Sequence, residues 1–179
     1  SAWLEFRRVL FRSKKNIKFL IILFILLGLS LHSNFVYAAG SSGDGDKNEV
    51  SLYKSGKKLV LRAKKLDKKD KVEKAKKLYL KAYDKFEKAY AIDKKNADIL
   101  NYLGYTLRKT GNFEKAEIYY LKGLELDSGH LGINEYLGEL YVQTGRIELA
   151  KERLQVLLGC KCEEYEELKE LIEEKKDLY

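Results

Sequence analysis

The pattern NYLGYTLRKTGNFEKAEIYYLKGLELDSG, residues 101–129, recurs as NEYLGELYVQTGRIELAKERLQVLLGCKC in residues 134–162. The matched residues are Leu103 and Leu137, Gly104 and Gly138, Thr110 and Thr144, Gly111 and Gly145, and Ala116 and Ala150. Each matched pair is 34 residues apart in the 179-residue chain. A repeat of this length is typical of stacked pairs of helices, so this stretch predicts the fold.

Apolar residues in the first copy follow a helical period that is interrupted once, at a glycine. Ile99, Leu103 and Leu107 recur every four residues and form an apolar stripe on a first helix. Gly111 stands where a left-handed residue would end this helix. A second apolar stripe follows, formed by Phe113, Ala116, Tyr120, Gly123 and Leu124. Two helices joined by one tight turn are predicted to form an antiparallel hairpin.

Small residues predict where the two helices of a hairpin touch. Gly104 lies on the apolar face of the first helix, and without a side chain it lets the second helix approach its backbone. We expect Ala116 to be the small residue that faces Gly104, and Ala150 to face Gly138. The second copy keeps the order of the first, with Leu137, Gly138, Tyr141, Gly145, Ile147, Ala150, Leu154 and Leu157.

These residues resemble the tetratricopeptide repeat family, which has Leu-Gly in the first helix, Gly at the turn, and Ala and an aromatic in the second helix. The matching residues are Leu103, Gly104, Gly111, Ala116, Tyr120, Leu137, Gly138, Tyr141, Gly145 and Ala150. The first copy departs from the family pattern at Leu107, where an aromatic residue is usual. The resemblance implies an all-α fold, a short α-solenoid of antiparallel helix hairpins with about three repeats and a C-terminal capping helix.

The helical domain is predicted to span residues 49–179. It would comprise an atypical basic first hairpin (49–95), repeats over 97–130 and 131–164, and a capping helix over 165–179. In the first hairpin, unbroken helical spacing from Val72 to Ala89 predicts one long helix of about 23 residues. The sequence LDKKD, residues 66–70, is the predicted break before this helix.

A secretory signal is predicted over residues 14–38. Three lysines between positions 14 and 18 precede an apolar run over residues 19–31, and the small residues Val36 and Ala38 follow. This order predicts export to the bacterial periplasm, with an uncleaved anchor in the inner membrane as the alternative.

Two further segments near the N-terminus are not expected to belong to the fold. Residues 1–13 have no organised pattern and are interpreted as a non-native remnant. Residues 39–48, AGSSGDGDKN, have little to bury and predict a flexible linker.

The net charge of +8 is divided unevenly along the chain. Residues 47–95 contain 18 Lys and Arg against 7 Asp and Glu, whereas residues 96–179 contain 11 against 17. The basic half has three interpretations: a solvated face attracted to the acidic later repeats, a face for an anionic membrane surface, or a nucleic-acid site. Predicted export makes nucleic acid the unlikely partner.

The sequence offers little for catalysis, because no nucleophile–base pair, phosphate loop or carboxylate dyad stands out. We therefore predict no enzyme, no cofactor and no small-molecule substrate. Cys160 and Cys162 allow a buried structural thiol or a disulfide, either internal or to another chain. A zinc site is not predicted, because His130 alone cannot complete a set of about four ligands.

The family resemblance implies a concave groove lined by the first helices. The residues expected to line it are Asp98, Asn101, Tyr105, Arg108, Lys109, Glu135, Glu139, Val142 and Gln143. Polar groups around one exposed aromatic residue, Tyr105, suit an extended peptide or a partner helix. Because Glu135 and Glu139 would repel an anion, no site for a terminal carboxylate is assigned. An ordinary solvated helix face is the alternative.

Together these features favour a protein-binding scaffold of the cell envelope. The partner would be a protein or a peptide held in the groove. The alternative is a structural accessory of the envelope, which would associate with an anionic membrane surface through its Lys-rich first hairpin.

Overall fold

The computed structural model describes residues 42–175, and these form α-helices joined by short turns, without a strand in this range. The helices are α1 (Ser42–Asp67), α2 (Val72–Ile92), α3 (Ala97–Lys109), α4 (Phe113–Leu126), α5 (Leu131–Gln143), α6 (Ile147–Leu157) and α7 (Glu163–Lys175). They pair as the hairpins α1–α2, α3–α4 and α5–α6, and α7 packs on α5 and α6. The predicted all-α solenoid of hairpins is therefore confirmed. The predicted remnant, the predicted signal and residues 39–41 lie outside the described residues.

The first hairpin is longer than the others. Its helix α1 begins at Ser42, so the prediction of a flexible linker is wrong for residues 42–48. Gly45 lies against the side chain of Ile92, which shows that packing on α2 accompanies helix formation in a glycine-rich segment. Helix α2 is continuous over 21 residues, and the chain reverses before it at Asp70, which has a φ of 54°.

Each repeated hairpin turns at a glycine with left-handed backbone. Gly111 has a φ of 88° and Gly145 has a φ of 74°, a conformation that residues with a side chain rarely adopt. In the first of these turns, the amide of Asn112 donates to the carbonyl of Leu107 at 2.9 Å. The Asn112 side chain in turn accepts from the amide of Lys115 and caps α4. The sequence TGN thus ends one helix and starts the next.

The glycines of the first helices make room for large side chains, and the atoms nearest to them do not belong to the alanines that were expected to face them. A Cβ atom on Gly104 would lie 2.5 Å from the ring of Tyr120, and Gly56 stands in the same way against Phe86. Gly138 instead accommodates Leu168 of α7. The reason is that Tyr120 and Phe86 reach across the hairpin, whereas Ala116 is too short to fill the space.

The remaining packing residues are buried where the hairpins meet. Fully buried among them are Leu103, Ala116, Tyr120, Leu137 and Ala150, and Tyr141 is nearly so. Helix α7 closes the stack by burying Leu168 and Ile172. None of the helices that the structure describes combines the length and the apolar character needed to cross a membrane.

Candidate functional site

The first helices of successive hairpins, together with α7, share one side of the stack. We call the side formed by α1, α3, α5 and α7 the first-helix surface. Tyrosines run across it: the ring centroids of Tyr53 and Tyr102 are 5.7 Å apart, and those of Tyr105 and Tyr136 are 4.8 Å apart. Aromatic rings therefore form the contacts between neighbouring helices on this surface.

Cationic side chains from α1 and α3 lie over these rings. The Nζ atom of Lys57 is 5.2 Å from the ring centroid of Tyr53, and that of Lys64 is 5.0 Å from the ring centroid of Tyr105. Distances of this size allow favourable interaction between a cation and an aromatic face. The α1 edge of the first-helix surface is thus positively charged.

A cleft of about 440 Å³ opens in the first-helix surface, and we call it the Asn101 cleft. It takes residues from four helices, among them Tyr53 of α1, Asn101 of α3, Tyr136 of α5 and Glu164 of α7. Gly132 forms part of the wall, and a Cβ atom there would lie 2.8 Å from the amide nitrogen of Asn101. A larger residue at this point would press on the Asn101 side chain.

Asn101 itself is 6% exposed, and its Oδ1 atom accepts no hydrogen bond from any of the residues that the structure describes. A buried acceptor without a donor costs about 1–3 kcal/mol in folding. The structure therefore tolerates an unfavourable group at the wall of the cleft.

The predicted groove residues divide into exposed and buried groups. Asp98, Lys109 and Gln143 are exposed, Glu139 is half-buried, and Asn101, Tyr105, Arg108, Glu135 and Val142 are buried. Of the predicted residues, Asp98, Asn101 and Glu135 line the Asn101 cleft. The structure therefore brings three of the predicted residues together in one place.

The prediction that Tyr105 is an exposed aromatic residue is wrong. It is 4% exposed, because its ring packs between those of Tyr79 and Tyr136. The half-exposed aromatic residues of the surface are Tyr53, Tyr102 and Tyr136, which the sequence analysis missed. Tyr102 and Tyr136 are 34 residues apart, so their recurrence was the available signal.

Arg108 connects two repeats and is not available at the surface. Its guanidinium lies 2.5 Å from a carboxylate oxygen of Glu139 and sits near the rings of Tyr105 and Tyr136. Lys109 in turn lies 3.2 Å from Asp67 of α1. Replacing Arg108 would leave Glu139 unpaired, so Arg108 is a poor choice for testing binding.

Acidic residues gather on the α5 and α7 side of the first-helix surface. The pKa of Glu135 is raised to about 9, mainly by burial. A hydrogen bond with Glu167 and the negative charges of Glu139, Glu167 and Glu164 raise it further. The Glu135 carboxyl is therefore protonated at neutral pH. This side of the surface has carboxyl groups in excess, in contrast to the lysines of α1.

The two cysteines form an internal disulfide in the loop between α6 and α7. Cys160 is exposed, so the interpretation as a buried structural thiol is wrong. The chain leaves α6 at Leu157, before Cys160, and this removes the position from the apolar stripe. Within residues 42–175, no group of three or more His, Cys, Asp or Glu residues is placed to hold a metal ion.

Residues 97–130 match the tetratricopeptide repeat family, and no curated protein matches the chain. The tetratricopeptide domain of Arabidopsis OM64 is similar in fold, with a TM-score of 0.50 and 13% identity over 69% of this chain and 98% of that one. The Yersinia enterocolitica chaperone SycD, solved with a YopD peptide, has a TM-score of 0.46 and 20% identity over 68% and 92%. Residues 97–130 thus match one tetratricopeptide repeat, and the stack of hairpins around them is similar in fold to a tetratricopeptide domain.

Proposed function

We propose that the chain is a non-catalytic scaffold whose first-helix surface binds an extended peptide segment of a protein partner. The observation that carries this proposal is the Asn101 cleft with its unpaired buried acceptor. An extended peptide offers backbone N–H donors, which are the groups that this acceptor lacks. The half-exposed rings of Tyr53, Tyr102 and Tyr136 provide apolar contact beside it.

The proposal predicts that replacing Asn101 separates binding from stability. Asn101→Leu removes the unpaired acceptor and keeps a side chain of similar size, so the free energy of unfolding should stay equal or rise by about 1 kcal/mol. Peptide affinity should fall about tenfold, because the ligand loses its buried partner. Urea unfolding and fluorescence anisotropy measure the two quantities.

Suitable peptides can be selected from a random displayed library on the full chain. Leu121→Ala is the matched control, since Leu121 is exposed on α4 and lies outside the cleft. Peptides that bind Asn101→Leu as tightly as the unchanged chain would contradict binding at this cleft.

We also propose that the scaffold is exported, on the strength of the basic and then apolar order of residues 14–38. Sequencing of the mature N-terminus should show cleavage after Ala38. Recovery of the intact apolar segment would instead support the membrane-anchored form.

A second candidate function, association with an anionic membrane surface, is favoured by one exposed face of α1. Val50, Lys54, Lys58, Leu61 and Lys65 follow helical spacing and are all exposed, and Leu61 is 58% exposed. Apolar residues among lysines suit the interface of an anionic bilayer.

Co-sedimentation with phosphatidylglycerol vesicles tests this candidate. Binding at low salt should weaken in Lys54→Glu/Lys58→Glu and persist in Lys81→Glu/Lys88→Glu, a matched change on exposed positions of α2. Equal loss in both variants, or no binding at low salt, would exclude the α1 face as a membrane site.

A further inference from the structure

We propose that the Asn101 cleft receives a cationic side chain, an arginine or a lysine, of the bound peptide. This inference rests on the peptide-binding function proposed above and specifies its ligand. It assigns the cleft a preference for positive charge, although the chain as a whole carries a net charge of +8.

The lining of the cleft is rich in acceptors. Asp98, Asp127, Glu135 and Glu164 all line it, together with Asn101, whose buried Oδ1 atom has no partner among the described residues. Arginine and lysine bring several N–H donors and no acceptor, so either side chain could meet these groups without leaving a new donor–acceptor mismatch. An anionic ligand group would face the carboxylates of Asp98, Asp127 and Glu164 and be repelled.

The basic groups that line the cleft are already engaged with other residues of its wall. Lys57 lies over the rings of Tyr53 and Tyr102, on the α1 wall. The ring of His130 accepts from the amide of Ile133, and its other nitrogen lies 3.4 Å from Asp98. Neither group forms an ion pair with Glu164, so this carboxylate of α7 is left for a cation from outside.

The surroundings of Glu135 support the same conclusion. The charged groups that face it are Glu139 on its own helix and Glu164 and Glu167 on α7, while Arg108 of α3 pairs with Glu139. These carboxylates and burial hold the pKa of Glu135 at about 9. A guanidinium or ammonium group in the cleft would supply the opposite charge that this cluster lacks.

The aromatic walls fit a cation as well. Tyr102 and Tyr136 are half-exposed at the cleft, and each ring centroid lies within 6 Å of a cation of the chain, at 5.7 Å from Lys57 and 5.7 Å from Lys64. Both rings therefore already interact with cations of the chain. A planar guanidinium can stack on such a ring while it binds carboxylates at its edge.

The test uses peptides selected on the full chain, resynthesised with arginine replaced by citrulline, which keeps the shape and removes the charge. We expect the arginine peptide to bind about tenfold more tightly than the citrulline peptide. Glu164→Gln should remove most of this difference. Glu166→Gln is the matched control, because Glu166 is exposed in the same first turn of α7 and does not line the cleft.

The outcomes separate this inference from the proposed function. The cation preference would be overturned if the selected peptides share no recurring Arg or Lys. It would also be overturned if the citrulline peptide binds as tightly as the arginine peptide, or if Glu164→Gln and Glu166→Gln change the affinity equally. If those same peptides still lose affinity in Asn101→Leu, the peptide-binding function stands. If no selected peptide depends on Asn101, both fail together.

Discussion

Single residues in this protein act through the space that they leave free or fill. Gly104 is the clearest case, since the ring of Tyr120 occupies the position of a Cβ atom. The recurrence of glycine at positions 104 and 138 predicted close packing, but it could not name the neighbour. Which side chain enters the space depends on residues 16 and 30 positions away, at Tyr120 and Leu168. Tertiary packing determines which side chain lies there, and the local sequence pattern does not show it.

Gly104→Ala is expected to destabilise the fold, because the new Cβ atom would overlap the ring of Tyr120. Overpacking of this kind costs about 1–3 kcal/mol and should lower the melting temperature measured by circular dichroism. Gly129→Ala is the control, as the nearest atom to a Cβ there is 3.7 Å away. An unchanged melting temperature in Gly104→Ala would contradict the packing described here.

Glu135 should make stability depend on pH. Its pKa is about 9 in the folded chain against an ordinary value of 4.5, so between these values only the unfolded state loses the proton. The contribution of Glu135 to the free energy of unfolding should therefore be largest below about pH 4.5 and decrease as pH rises towards about 9. Urea titrations across this range should show a weaker decrease in Glu135→Gln than in the unchanged chain. A decrease of equal slope in both would argue against a buried protonated carboxyl.

The helices differ in how well they can be predicted from their sequences. The 34-residue period predicted α3 to α6, because turn glycines and apolar stripes agree there. The start of α1 was missed, since residues 42–48 have the composition of a linker and their contact with the distant Ile92 is not visible in the local pattern. The half-exposed tyrosines were missed for a related reason. Periodicity identifies the buried face of a helix, but it does not show which of its edges faces the next hairpin.

Helix α7 should be essential to the last hairpin. Leu168→Ala would empty the space beside Gly138 and is expected to cost about 2–5 kcal/mol, with a matching loss of thermal stability. Leu158→Ala is a suitable comparison, because Leu158 is 61% exposed and should be replaced with little effect. Similar melting temperatures for the two variants would mean that α7 does not cap the stack.

Across the whole described unit, charge is separated along the first-helix surface. Lys57 and Lys64 lie on α1, whereas Glu139 lies on α5 and Glu164 lies on α7. The sequence showed this division as a basic first half and an acidic second half. Only the structure shows that the two halves meet across one row of tyrosines, because this depends on the stacking of the hairpins.

The charge separation predicts the direction of a bound peptide. Its basic residues should lie near α7 and its acidic residues near α1, as electrostatic complementarity fixes register. A paramagnetic label on the basic end should broaden the resonances of α7 more than those of α1, and a label on the acidic end should do the opposite. Equal broadening by both labels would indicate that charge does not orient the ligand.

The unpaired side-chain carbonyl of Asn101 should make the chain less stable without its ligand than with it. A ligand that satisfies this group binds the native form alone, so its concentration raises the melting temperature by mass action. Protein molecules that have no bound partner would unfold more often, and proteases would degrade them first. The amount of scaffold in a cell would then follow the supply of its partner, without any dedicated regulator.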